Sequence, residues 1–288
     1  MNLSVLYRGS LVSCNYACGY CPFAKHVETS AQLTHDRQAL RQFTDWLGRQ
    51  AMHRWRVLFT PYGEALVRPW YRHAVVALTH HAHLKSVAVQ TNLSCSLDWV
   101  ADCRADRLTF WATYHPTETN RERFLRQVRR LRSLRISVSV GMVGVPGSLE
   151  EIRVMRGRLP EDVYLWINAQ QPRTRPYTAQ EEAAFQAIDP QFLFTARRQP
   201  SLGKLCASGE VIFTVDGRGD MRRCHFIDEV IGNIHDCRWE EALRPRRCPR
   251  RFCDCFLGKA QLRRDALAGY FGQTVLERLP IAAGLAEA

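Results

Sequence analysis

Six short apolar runs bounded by polar turns alternate with segments of helical period over roughly the first 170 residues. This pattern implies repeated β–α units and a parallel sheet. Strands are expected near residues 3–8, 55–60, 85–91, 107–114, 136–143 and 162–168, with helices filling the gaps. In one of those helices Leu40, Phe43 and Leu47 recur at helical spacing. Three helix starts carry the capping-box pairing of a hydroxyl with a Glu three positions on: Thr119 with Glu122, Ser148 with Glu151, and Thr178 with Glu181. Six strands with crossover helices point to an α/β fold, a partial (β/α)6 TIM-like barrel whose ligand site lies at the C-terminal strand ends.

The alternation stops after about residue 170, where QQPRTRPYT reads as a linker. A small β-hairpin is expected next: VIFTV, a turn at Asp216-Gly217, and a second strand ending at Cys224. The expected organisation is therefore a core over 1–195 (with linker within 171–200), a cysteine-rich extension over 201–258 and a helical tail over 259–288.

A chain of 288 residues can bury a large core without disulfides. No apolar run approaches the roughly 18 residues of a membrane span, and MNLSVLYRGS lacks the features of a secretory signal. A cytoplasmic, membrane-free location is expected. Eleven cysteines, an odd number, cannot all pair within one chain. They fall in two groups, Cys14, Cys18 and Cys21, and six between Cys206 and Cys255, which in a reducing compartment points to metal ligation. Cys95 and Cys103, between the groups, read as ordinary thiols. The net charge of +12 favours an anionic partner, or reflects arginines spread over solvated faces.

Cys14, Cys18 and Cys21 share one loop, CNYACGYCPF, directly after the first strand. Three thiolates on a short loop can each hold one iron of a four-iron cluster, leaving the fourth iron open. A zinc site would want a fourth ligand nearby, and His26 is within range. The three-then-two spacing, with Tyr20 before the last cysteine, resembles the hallmark of the radical S-adenosylmethionine (SAM) superfamily. In that family a Gly-Gly-Glu run after the second strand contacts the SAM amino group. Here TPYGEAL keeps Gly63 and Glu64 but places Tyr62 at the first glycine. Softer matches are Thr91-Asn92, Gly141 with Gly144, and Asn168, at the ends of the third, fifth and sixth strands. The resemblance implies that Tyr20, Gly63, Glu64, Asn92, Gly141 and Asn168 surround SAM on a [4Fe-4S] cluster. It also implies an enzyme that reductively cleaves SAM to a 5′-deoxyadenosyl radical, which abstracts a substrate hydrogen. An external donor such as flavodoxin or ferredoxin would supply the electron.

Cys206, then Gly219 and Cys224, with GNI at 232–234, resembles the opening of the twitch/SPASM extensions of that superfamily. The resemblance implies a second, auxiliary [4Fe-4S] cluster of the smaller twitch type. Cys206 and Cys224 would be completed by two of Cys248, Cys253 and Cys255, with Cys253 and Cys255 first choice and Cys248 the replacement. Cys237 reads as a free thiol. A zinc site on the same ligands stays open, and Arg222, Arg223, Arg247, Arg250 and Arg251 either offset cluster charge or lie on the surface. His115 points toward the rim as a candidate for substrate binding or proton exchange, or as a structural histidine; His225 is placed to hydrogen-bond near the auxiliary cluster. Peptide or protein modification is the first expectation, although no leader-binding winged helix is expected ahead of residue 1. Nucleic acid or a small anionic metabolite is the alternative substrate, and a non-catalytic zinc or iron–sulfur protein that binds nucleic acid is the third reading.

Overall fold

A computed structural model of the chain describes residues 1–23, 26–171, 175–262 and 269–281. Six strands, β1 (Asn2–Gly9), β2 (Arg54–Phe59), β3 (Leu84–Thr91), β4 (Leu108–Thr113), β5 (Ser137–Gly144) and β6 (Leu165–Ala169), pair in sequence order and in parallel. Helices α1 (Ser30–Arg49), α2 (Pro69–Thr79), α3 (Arg121–Ser133) and α4 (Leu149–Arg158) cross over between them, and α5 (Ala179–Ile188) and α6 (Phe192–Ala196) follow β6. The mixed α/β architecture and its parallel sheet are those expected. The β3–β4 connection differs, holding two short 3-10 turns, Asp98–Asp102 and Ala105–Arg107, where a helix was expected. There Ser96 Oγ accepts the Asp98 N–H at 3.3 Å and Ser96 O accepts Trp99 Nε1 at 3.0 Å. Such local bonds compete with a helical ladder.

The C-terminal region contributes short strands β7 (Gln199–Pro200), β8 (Leu205–Cys206), β9 (Ile212–Asp216), β10 (Asp220–Arg222), β11 (Val230–Asn233), β12 (Arg246–Arg247) and β13 (Phe252–Cys253), then helix α7 (Phe256–Leu262). β9 lies parallel to β1, and β10 and β11 follow antiparallel, so one nine-stranded sheet runs β11-β10-β9-β1-β2-β3-β4-β5-β6. The hairpin turn is the three-residue Gly217-Arg218-Gly219, not Asp216-Gly217. Asp216 still pairs with Gly9, and its Oδ1 accepts the N–H groups of Arg218 and Asp220 at 2.8 and 3.1 Å. Gly219 takes φ +81°, open to glycine at little cost. Of the tail expected over 259–288, the described part holds the end of α7 and a 3-10 turn, Gly272–Thr274; residues 263–268 and 282–288 lie outside it, as do 172–174 of the expected linker.

One of the three expected capping boxes forms, at Thr178 with Glu181. α3 begins one residue later than expected, on Asn120, whose side chain accepts from the Glu122 and Arg123 N–H groups. Ser148 precedes α4 at φ −83°, ψ 1°, outside the extended region from which a cap oxygen reaches back, and makes no capping bond. A box not foreseen, Thr29 with Gln32, starts α1.

Alternation along the strands gives the sheet two different faces. Outward residues such as Val5, Val57, Val87 and Phe110 join α1 residues Leu40, Phe43 and Leu47 in the larger core. The concave face changes character with height. Arg56, Ser86 and Ser139 lie at the bottom, where they hydrogen-bond Glu277 of the tail. Leu6, Leu58, Ala88, Trp111 and Trp166 form an apolar middle layer closed by Phe256, Phe271 and Leu276. Gly141 belongs to this layer, since an added Cβ would meet the Trp166 ring at 2.0 Å. We expect Gly141→Ala to lower stability by about 1–3 kcal/mol through overpacking. Gly157→Ala in α4, with nothing near the added methyl, should raise it by about 0.5–1 kcal/mol. Thermal midpoints of the two variants against wild type check the opposite signs.

Candidate cofactor cavity and cysteine sites

The loop after β1 has no regular structure of its own apart from an isolated bridge, so its backbone groups need partners from elsewhere. Glu28 accepts the N–H groups of Val12 and Ser13 at 3.3 and 3.0 Å, and Asp36 accepts that of Ser10 at 3.3 Å. Asp36 is buried and also accepts from Trp70 Nε1 and Tyr71 Oη of α2, at 2.8 and 3.1 Å. From the end of β2, Gly63 N donates to Leu11 O at 3.3 Å and Glu64 N to Ser13 O at 3.1 Å. Gly63 lies flat on that backbone, and a Cβ there would meet Ser13 O at 2.0 Å. The glycine is thus required by the approach of two chain segments, one residue before Cys14.

Cys14, Cys18, Tyr20 and Cys21 line a cavity of about 240 Å³ at the C-terminal ends of the strands, together with Gly63, Glu64, Asn92, His115 and Asn168. The structure therefore gathers Tyr20, Gly63, Glu64, Asn92 and Asn168 with the three cysteines, and leaves out Gly141 and Gly144. Gly141 is absent from the lining because the Trp166 ring covers its Cα. Glu64 is buried, and its carboxylate accepts from Thr91 Oγ1, Asn92 N and Leu66 N at 2.7, 2.7 and 3.0 Å. Burial pushes this carboxyl upward while the three donors pull it back. Asn92, held in this way, donates to Asn15 Oδ1 at 3.1 Å and faces Cys14 Sγ at 3.9 Å.

Tyr20 stacks on His115 at 5.8 Å, with Tyr20 Oη and His115 Nδ1 2.8 Å apart. Burial lowers the His115 pKa to about 4, against a smaller upward pull from Glu118, so the ring is neutral at pH 7. Glu118 also accepts the Ala17 N–H at 3.0 Å and ties the cysteine loop to the β4 end. Tyr62, at the position of the family's first glycine, packs on Phe23 at 5.0 Å and lies 5.1 Å from the Arg8 guanidinium.

Three cysteine side chains share this cavity, and burial pushes the Cys18 thiol up to about 12 and that of Cys14 upward. Gathered thiols of this kind ionise readily only beside a compensating cation. The donor set thus fits an iron–sulfur cluster held by Cys14, Cys18 and Cys21. His26 is exposed. Among the described residues no three or more His, Cys, Asp or Glu converge as a shell around a single metal ion.

Cys206, Cys224, Cys248 and Cys253 line a second, much smaller cavity with Phe226, Ile227 and Phe252. Burial raises the Cys224 thiol to about 11 and pushes up Cys253, each reinforced by the neighbouring cysteines. Cys255 adjoins this group without lining the cavity. It accepts the Gly258 N–H at 3.1 Å, and a Cβ on Gly258 would meet Cys253 Sγ at 2.7 Å and Cys255 Sγ at 3.3 Å. Among the cysteines, Cys255 acts most strongly on Cys224 and Cys253, so Cys248 and Cys255 both stand beside the other three. Cys237 is exposed. Arg223 is buried, and its guanidinium donates to the Ser208, Arg246 and Arg247 carbonyls at 3.2, 2.9 and 2.7 Å. Burial lowers the His225 pKa to about 3, helped by the Arg8 charge.

The sequence reading missed Arg8, Gln90, Thr113 and Val143, all in the cavity lining. They stand two positions after Leu6, Ala88, Trp111 and Gly141 of the apolar layer, so strand parity extended by one step finds them. Glu28 and Asp36 were also missed, because carboxylates that hold a distant loop leave no local signature.

No protein-family model matches the chain, and no curated protein matches it in sequence. Solved structures do match. The chain covers 84% of its length against anSMEcpe with bound AdoMet and the Kp18Cys peptide, and 80% of that chain, at TM-score 0.58 and 12% identity. Against Streptococcus suis SuiB it covers 84% of itself and 66% of that chain, at TM-score 0.56 and 14% identity.

We expect Gly63→Ala to cost about 1–3 kcal/mol, since backbone cannot move aside as a side chain can, and to lower iron uptake at the Cys14 loop. Gly19→Ala, with open space around it, should change neither. Thermal melts and iron analysis of both variants check this. No helix among the described residues is long and apolar enough to cross a membrane, and the chain carries the fold of the radical SAM enzymes.

Proposed function

We propose that this chain is a radical SAM enzyme with two iron–sulfur sites. The observation that carries this is the convergence of Cys14, Cys18 and Cys21 with Tyr20, Gly63, Glu64, Asn92, His115 and Asn168 on one cavity at the strand ends. When bound, the cluster and SAM supply one-electron cleavage of SAM and a primary-carbon radical that removes a substrate hydrogen. The protein's part is placement and exclusion of water. Gly63 and Glu64 fix the cysteine loop through its backbone. Glu64 orients Asn92 beside Cys14, and Tyr20 with neutral His115 forms part of the cavity wall.

We further propose an auxiliary four-iron cluster on Cys206, Cys224, Cys253 and either Cys255 or Cys248, and a peptide or protein substrate. The likeness to anSMEcpe, seen with a bound peptide, supports that substrate class. Arg8 in the cavity wall suits an acidic group on it. An external flavodoxin- or ferredoxin-type protein would donate electrons in the cytoplasm, where thiols stay reduced.

Anaerobic reconstitution should give about eight irons per chain, and about four when Cys14, Cys18 and Cys21 are all replaced by Ala. Wild type, reduced in the presence of SAM, should release 5′-deoxyadenosine, and the triple variant none. Release by the triple variant would end the proposal, and zinc in place of its remaining iron would make the C-terminal group a structural zinc site. Cys206→Ala or Cys224→Ala should lose the second cluster yet keep this release, which separates the two sites.

A further inference from the structure

The tail enters the barrel from below and places two charged side chains in its interior. Glu277 is 2% exposed, and its Oε1 accepts from Arg56 Nη1 at 2.9 Å and Ser86 Oγ at 2.5 Å. Ser139 Oγ donates to the Glu277 carbonyl at 3.0 Å. Arg278 is 1% exposed and rises through the apolar layer, its guanidinium carbon 3.6 Å from the Phe256 ring centre, 4.3 Å from Trp166 and 4.5 Å from Trp111. Its backbone φ of +51° lies in the left-handed region that residues other than glycine seldom adopt. Burial lowers its pKa to about 9, against upward pulls from Tyr164, Asp189 and Cys255, so the group stays charged at neutral pH.

A buried guanidinium needs acceptors, and Arg278 Nη2 finds one in Asn168 Oδ1 at 3.1 Å. Asn168 lines the cavity that holds Cys14, Cys18 and Cys21. Because arginine only donates, this contact fixes which end of the carboxamide faces down. The oxygen is taken by Arg278, and the NH2 group is left for the cavity.

We propose that Arg278 is a positioning residue for the cofactor site: it holds Asn168 so that the amide presents hydrogen-bond donors, and no acceptor, to an acceptor on bound SAM. Through Asn168 the tail reaches the cavity from beneath and couples the C-terminal region to it. This rests on reading the cavity as the SAM site.

The test is SAM affinity of anaerobically reconstituted, unreduced protein by titration calorimetry, so that nothing turns over. Asn168→Asp keeps the contact to Arg278 as an ion pair but replaces the donor end with an acceptor. It should keep the wild-type iron content and at least the wild-type melting temperature, and weaken SAM binding about tenfold or more. Asn168→Ala and Arg278→Met should each weaken binding. If Arg278 acts through Asn168, the double variant should be no weaker than the weaker single one. Wild-type affinity in Asn168→Asp, or single losses that multiply in the double variant, would overturn the proposal while leaving the SAM site itself in place. Failure of wild type to bind SAM would instead overturn the reading beneath it. Should Arg278→Met fail to fold, Arg278→Lys, which keeps the charge but loses the planar donor fork, takes its place in the same comparison.

Discussion

The cavity at the strand ends depends on how an irregular loop is held. Residues 10–21 have little ladder of their own, yet three cysteines on that loop must point the same way. Their backbone is fixed by two carboxylates, Glu28 and Asp36, and by Gly63 and Glu64 at the end of β2. The close approach at Gly63 leaves no room for a Cβ. Glu64 then does two jobs from one position, with its N–H on Ser13 and its carboxylate on Thr91 and Asn92. Placement of the three cysteines is in this sense a consequence of backbone hydrogen-bond satisfaction.

Above and below that loop, the concave face of the sheet is graded. A polar base holds Glu277, an apolar middle layer excludes water, and a polar rim faces the cavity. A dry layer beneath the site strengthens the electrostatic interactions within it. Arg278 is the one described cation of the tail that crosses this layer, and the three aromatic rings around it offset part of its desolvation.

Much of this was legible in the sequence because it is written in periodicities. The six parallel strands, the Leu40–Phe43–Leu47 face and the gathering of Cys14, Cys18 and Cys21 follow from spacing alone. What was not legible depends on tertiary partners. The pairing of β9 with β1 merges the cysteine-rich region into the main sheet, and no local pattern announces it. Gly141 was read as a cofactor contact from its place at a strand end, but a tryptophan on the neighbouring strand occupies its face. The capping sequence at Thr119 lost to Asn120, a cap one residue on, and Ser148 lost to its own backbone angles. Glu277 and Arg278 carry no motif and gain meaning only once the tail is placed inside the barrel.

The central claim is that SAM binds an open iron of a cluster on Cys14, Cys18 and Cys21. Pulsed electron paramagnetic resonance of the reduced protein with SAM labelled with ¹⁵N at the amino group tests it directly. The account expects a ¹⁵N hyperfine coupling to the cluster in wild type and in a Cys206→Ala, Cys224→Ala variant that lacks the second site. A cluster signal that shows no ¹⁵N coupling at saturating SAM would contradict it.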